Sequence, residues 1–275
     1  MVEERTGFLN IAAHEFIFWL RRVAIRRLEC NGREHVPTRG GAVVVANHGN
    51  GLIDGAILLE TLPRLSSVLS KKPLFSTPIA GQILTAMNAM PVVRKPDAVT
   101  GTNTALFGEV HEHLRGGGSI TVFPEGISHD EAVIMPLKTG AARMALGGDA
   151  RWIIPAGLYY EEKGRMRTDA VITYGVPLEV NEDDTVAELT SRIKTALESL
   201  IVSCPDKRLY RAVGRAVNVA MSSSLSERFE GMRSIISYFN TADDTERTDL
   251  LRRLEAIAAL RWRDIDRVKA TDYAL

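Results

Sequence analysis

"VVVANHGNGLID" runs from Val43 to Asp54, and its reading decides the fold. Val43 to Ala46 is an unbroken apolar run, the pattern of a strand buried on both faces. It gives way to Asn47, His48, Gly49, Asn50 and Gly51 before Leu52 to Glu60 resumes as a helix. Asp54 then falls in the first turn of that helix. Gly49, Asn50 and Gly51 tolerate the positive backbone angles of a sharp reversal, and such a reversal lets His48 approach the Asp54 carboxylate. An aspartate accepting from one ring nitrogen fixes the tautomer and raises the basicity of the other, which is what stripping a proton from an attacking hydroxyl requires. The bland alternative is that His48 satisfies buried backbone while Asp54 caps a helix.

Outward from this stretch the chain alternates strands and helices, an α/β pattern in which ligands bind where strands give way to loops. Arg27 to Arg33 reads as a first strand, Gly41 to Asn47 as a second, Leu65 to Lys71 as a third and Asn88 to Arg94 as a fourth, the last preceded by a helix around Ile79 to Met87. A helix from Val99 to Leu114 leads through Gly116 to Gly118, a turn without the lysine and spacing of a P-loop, to the strand "SITVFP". A helix from Lys138 to Leu146, the strands "WIIPAGLYY" and "DAVITYGVPLEV", and a helix from Val186 to Val202 complete the unit. From Pro205 onward the pattern is helical, near Lys207 to Val219, Leu225 to Phe239 and Thr245 to Val268.

The chain of 275 residues is 45% hydrophobic and 25% charged, which is globular and long enough for one sizeable core with an appendage. With 34 basic and 34 acidic residues it has no bulk charge to support nucleic-acid binding. Cys30 and Cys204 match no zinc or CxxC spacing and fit reduced thiols. The N-terminus lacks the basic, apolar and cleavage regions of a signal peptide, so no export is expected. No stretch reaches the roughly 18 apolar residues of a spanning helix. Phe8 to Glu29 reads as an amphipathic helix, with Phe18 and Trp19 widening its apolar stripe and Arg21, Arg22, Arg26 and Arg27 beside it. Such a helix suits the headgroup region of an anionic membrane, or packs on the core with its arginines in water.

A second polar cluster, Pro124, Glu125, Gly126 and Ser128, also follows an apolar strand, so both clusters open on one edge of the sheet. Arg94 and Lys95 end a strand between them, and with Lys71 and Lys72 nearby they make a phosphate seat, since guanidinium grips phosphate in a planar fork. Solvated charge is the alternative for the two lysines of the third strand. His111 and His113 do not share a helix face, which disfavours a metal site. His129 either touches a substrate or bonds locally, Lys138 either reaches phosphate or lies at the surface, and His14 and His35 show no partner pattern.

"NHGNGLID", "PVVRK", "FPEGISHD" and the proline of "IIPAGLYY", in this order and spacing, resemble the four blocks of the glycerolipid acyltransferase family. The resemblance covers about residues 27 to 204 and implies an α/β fold with a mixed central sheet flanked by helices. The block boundaries divide the chain into a membrane-associating helix at 1–28, an acyltransferase domain at 29–204 and a helical extension at 205–275. The common first block has four residues between His and Asp; here there are five, Gly49 to Ile53. That spacing, with "LKTGAARMALG", "YGVPLEV" and "CPDKRLYRA", is similar to the branch acting on glycerol-3-phosphate and dihydroxyacetone phosphate.

The resemblance implies acyl transfer from acyl-CoA or acyl carrier protein, as substrate rather than cofactor, by direct attack on the thioester. No metal, cofactor or nucleic acid is implied. His48 and Asp54 are the catalytic pair. Arg94 holds the acceptor phosphate with Lys95, Glu125 and Gly126 shape the acceptor pocket, Ser128 hydrogen-bonds there, and Pro155 is a wall. Asn47 joins the substrate-binding residues, and the N–H groups near Gly49 and Asn50 are expected to receive the oxyanion. Glu125, an anion, is assigned to an acceptor hydroxyl or to positioning Arg94. The expected location is the cytoplasmic face of a membrane, peripheral or monotopic. Two alternatives remain open: a 1-acylglycerol-3-phosphate acceptor, and a silent lipid-binding protein of the same fold, against which intact His48, Asp54, Arg94 and Glu125 argue.

Overall fold

A computed structural model describes residues 15, 18–77, 81, 84, 89–92, 104–220 and 224–272, and the chain forms two compact units. The first comprises Met1–His129 and Ile134–Leu200, the second Asp130–Val133 and Ile201–Leu275.

Among the described residues of the first unit, eight strands form one sheet: β1 (Ile25–Asn31), β2 (Ala42–Ala46), β3 (Ser67–Lys71), β4 (Met90–Val92), β5 (Ser119–Val122), β6 (Trp152–Tyr160), β7 (Thr168–Tyr174) and β8 (Leu178–Glu179). Their order is β1-β7-β6-β2-β5-β3-β4, with β8 also paired to β6. β2 runs parallel to β5 and β6, whereas β6 is antiparallel to β7 and β8, so the sheet is mixed. Among the described residues, a helical segment at 18–24 precedes β1, and along the chain come α1 (Gly51–Thr61), the short α2 (Lys72–Phe75), α3 (Thr104–Arg115), α4 (Gly140–Gly147) and α5 (Val186–Leu200).

Every residue of β2 is fully buried, as its apolar run requires. Ala42, Val44 and Ala46 share one face with Ile154, Ala156, Leu158 and Tyr160 of β6, and α1 covers that face with Ile57 and Leu58. Burying each such aliphatic side chain contributes about 1.5–3 kcal/mol. Alternation along β6 sends Pro155 and Gly157 to the other face, where the end of α5 packs. Because β2 and β5 are parallel, the loops that follow them open on the same edge.

Two expectations change here. The N-terminal helix does not reach Glu29: residues 18–24 are helical and β1 starts at Ile25. β1 is claimed by pairing with β7 over Ile25 to Asn31, which outweighs the helical periodicity of the apolar residues. "DAVITYGVPLEV" is also not one strand. It breaks over residues 175–177, where Pro177 offers no N–H, and β8 returns to pair with the start of β6. Of the helix expected around Ile79 to Met87, only Gly81 and Leu84 are described, and both are helical. Apart from Glu15, the expected residues before Phe18 lie outside the described residues, as do Arg94 and Lys95.

The second unit contains α6 (Lys207–Ala220), α7 (Leu225–Thr241) and α8 (Asp244–Asp272). α6 buries Leu209, Ala212, Val213, Ala216 and Val217, and α7 buries Leu225, Phe229, Met232 and Ile236, each a helical stripe. Ser224 caps α7 by accepting the Glu227 N–H. This unit begins after Leu200, earlier than the expected boundary at Cys204, and takes in Asp130–Val133, tied to it by the Cys204 N–H donating to Ala132 C=O at 2.7 Å. Both thiols are free of disulfides. Among the described residues no helix is long and apolar enough to cross a membrane.

Candidate active site

The turn after β2 closes as the sequence requires. His48 Nδ1 lies 3.0 Å from Asp54 Oδ2, and the Asp54 side chain has no exposure. That same oxygen accepts the Asn50 N–H at 2.7 Å. The other oxygen, Oδ1, accepts the hydroxyl of Tyr160 at the end of β6. Burial, the Asp54 charge and this hydrogen bond hold the Tyr160 phenol well above its ordinary range, so it stays a proton donor. With Nδ1 facing a carboxylate that otherwise receives only donors, Nδ1 carries the proton and Nε2 is left as the basic nitrogen. No described residue engages Nε2. The ring stacks on Phe123, just past β5, with centroids 4.1 Å apart and 15% of the His48 side chain exposed.

Among the five residues between His48 and Asp54, one takes a left-handed backbone angle. Gly51, the first residue of α1, has φ of 37°, whereas Asn50 has φ of −142°. Asp54 thus lies one position beyond the usual capping-box acid, yet still reaches back to the N-cap N–H. Of the three residues expected to provide positive backbone angles, Gly51 alone does so.

The loop after β5 is zipped to this turn. Glu125, buried, accepts the His48 N–H at 2.9 Å on Oε1 and the Met135 N–H at 2.8 Å on Oε2, which also bonds His129 Nε2. The His129 N–H donates to His48 C=O at 3.1 Å, and Ser128 Oγ accepts the Gly51 N–H at 3.2 Å. Gly126 has φ of 75°, and a Cβ there would lie 2.5 Å from Lys138 Nζ. Lys163, from the hairpin between β6 and β7, donates to His129 C=O, and its Nζ would lie 3.3 Å from a Cβ on Gly49. Two cations therefore border the turn, one over each loop.

Several of the expected site residues have partners within the fold. Both Glu125 oxygens accept hydrogen bonds within the fold, so this carboxylate joins the two loops. Asn47 is equally occupied: its amide donates to Leu158 C=O at 3.0 Å and accepts the Leu158 N–H at 2.7 Å, prolonging the β2 ladder after β2 has ended. The Asn50 N–H is taken by Asp54, which leaves Gly49 as the oxyanion candidate of that pair. Pro155 does not wall the site. The pleat turns it to the opposite face from Tyr160, toward Gly175 and Leu200. Arg94 and Lys95 lie outside the described residues, as does the Lys71 side chain, while Lys72 is exposed.

Three of the arginines near the N-terminus have carboxylate partners within the fold. Arg21 pairs with Glu60, and both Arg26 and Arg27 fork onto Asp169. His113 bonds Ser119 C=O and His111 meets Phe107 edge-on. Sequence reasoning missed Tyr160. Its signal was its place on the same β6 face as Ala156 and Leu158, which meets α1.

Comparison with known proteins finds similarity to acyltransferases. Residues 27–159 match the Acyltransferase family model. It is 34% identical over 137 residues to glycerol-3-phosphate O-acyltransferase 2 of Saccharomyces cerevisiae, covering 40% of this chain and 18% of that protein. It is 27% identical over 181 residues to human 1-acyl-sn-glycerol-3-phosphate acyltransferase alpha, covering 62% of each. The matched part spans only 16% to 18% of the length of the yeast relatives. The crystal structure of the 1-acyl-sn-glycerophosphate acyltransferase PlsC from Thermotoga maritima shares the fold, with a TM-score of 0.56, 16% identity and coverage of 70% of this chain and 78% of that one.

Proposed function

We propose that the protein transfers a fatty acyl group from an acyl-CoA or acyl carrier protein thioester to the hydroxyl of glycerol-3-phosphate or dihydroxyacetone phosphate. The observation that carries this reading is the His48 ring, held by Asp54 through Nδ1 with Nε2 left for a substrate proton. Nε2 takes the proton of the acceptor hydroxyl as its oxygen attacks the thioester carbonyl. The tetrahedral oxyanion is received by the Gly49 N–H. As the C–S bond breaks, the imidazolium returns the proton to the departing thiolate, and no acyl-enzyme forms. General-base help of this kind is worth about 10²–10⁴-fold in rate. Arg94 and Lys95 hold the acceptor phosphate, and the protein works peripherally at the cytoplasmic face of a membrane, with Phe18 and Trp19, 37% and 58% exposed, at the lipid.

The reading is tested by following thiol release from palmitoyl-CoA in the presence of liposomes, with glycerol-3-phosphate, dihydroxyacetone phosphate or 1-acylglycerol-3-phosphate offered separately. Release that requires one of the first two acceptors, and falls at least about a hundred-fold in His48→Ala, is expected. A second reading, acylation of 1-acylglycerol-3-phosphate, is favoured by the even 62% coverage of the human relative, and turnover confined to that acceptor would establish it. Silence with all three acceptors would contradict both.

A further inference from the structure

Tyr160 is the unexpected member of the site, and its neighbours say more than burial alone. A buried tyrosine hydroxyl needs an acceptor, and the fold has another way to supply one. Tyr174, on the next strand and equally buried, bonds the hydroxyl of Thr61 at 2.8 Å. Tyr160 instead bonds the Asp54 oxygen that His48 leaves open. Asp54 thereby receives three donors, the His48 ring N–H, the Asn50 N–H and the Tyr160 hydroxyl, with its side chain unexposed and no lysine or arginine paired to it among the described residues.

We infer that Tyr160 is a positioning residue for His48: by binding the far oxygen of Asp54, its hydroxyl orients the carboxylate toward Nδ1 and sets how strongly that carboxylate holds a protonated ring. A donor at Oδ1 draws negative charge away from Oδ2 and weakens the grip of Asp54 on the imidazolium. Removing the hydroxyl therefore strengthens that grip, and the ring keeps its proton to higher pH. Among the described residues, the charged and titratable groups around the turn are left unchanged by such a substitution: Glu125, which accepts the His48 N–H, His129, bonded to Glu125, and Lys163, beside Gly49. The inference uses the acyl-transfer reading for its rate consequence alone.

The experiment is a ¹⁵N-histidine NMR titration of the full chain, with the His48 signals assigned by their loss in His48→Gln. In Tyr160→Phe the His48 midpoint is expected to rise by about half a pH unit or more, while the acid limb of kcat/KM moves the same way. The expected fall in kcat is about tenfold with little change in KM. Site-specific 3-fluorotyrosine at position 160, a stronger donor of the same shape, should move the midpoint in the opposite direction, and it keeps the test open where Tyr160→Phe folds poorly. A His48 midpoint that stays within about 0.2 units of the parent or moves down in Tyr160→Phe, or that does not fall with 3-fluorotyrosine, overturns the inference, because a merely structural hydroxyl would alter melting alone. The NMR result needs no acceptor. Midpoints that move as expected in a protein that acylates nothing would uphold Tyr160 and refute the acyltransferase reading.

Discussion

Asp54 and Asp169 are both carboxylates with fully buried side chains in the same unit, and they are stabilised in opposite ways. Asp169 is gripped by two half-exposed guanidinium groups, Arg26 and Arg27. Against its own burial, their hydrogen bonds and charges hold its carboxyl far below the ordinary range. Asp54 is held by hydrogen bonds from a histidine ring, a backbone amide and a phenol. The difference separates the two jobs. Paired to arginines, a buried carboxylate ties β7 to β1 and has no proton to influence. Held by donors that are not fixed cations, it keeps its charge directed at the one neighbour that can gain and lose a proton.

The largest effect that would break this contrast is expected at Asp54. Asp54→Asn places an amide N–H₂ against groups that are already donors, so His48 loses its fixed tautomer; turnover should fall at least about a hundred-fold while circular dichroism stays native. Near-normal turnover in a folded Asp54→Asn protein would refute the assignment.

At Asp169 the expected loss is of stability. Asp169→Asn should cost on the order of 2 kcal/mol in urea unfolding, below the 3–5 kcal/mol of a fully buried pair because both arginines are half in water, with turnover per folded molecule retained. The pH dependence follows in sign. A carboxyl whose folded value is depressed contributes its stability above the unfolded value near 3.9 and loses it as pH falls further. The parent should therefore lose stability more steeply below about pH 4 than Asp169→Asn. Equal slopes would remove Asp169 from the acid sensitivity.

The smallest effect sharpens the comparison at Gly51. A Cβ there meets nothing within 4 Å, so Gly51→Ala probes the φ of 37° alone. It should lower stability by about 1 kcal/mol, and activity by less than Asp54→Asn. An unchanged melting temperature would mean that the positive φ at Gly51 costs a side-chain-bearing residue nothing.

Much of this was legible in sequence because the signals were local. β6 runs over Trp152–Tyr160, the whole of "WIIPAGLYY", since an apolar run between Gly/Asp-rich turns leaves little else for it to be. His48 and Asp54 were readable because the strand end, the glycines and the helix start lie within one short stretch. What stayed hidden depends on residues far apart in the chain. Nothing near Arg26 and Arg27 announces Asp169 across some 140 positions, so they read as part of a cationic face. Glu125 read as a substrate contact because two of its donors, the N–H groups of His48 and Met135, are backbone and leave no mark in sequence. Tyr160 looked like core because its ring is core; only its oxygen belongs to the site. Pro155 could have been placed correctly by counting the alternation along β6 back from Tyr160.

The most direct test of the central claim, that Asp54 acts through His48, is a double-mutant cycle on acceptor-dependent thiol release. In the parent, Asp54→Asn should reduce turnover at least about a hundred-fold, and in a His48→Ala background it should reduce the residual rate no further. Equal losses in the two backgrounds would show that Asp54 acts independently of His48, and would contradict the account.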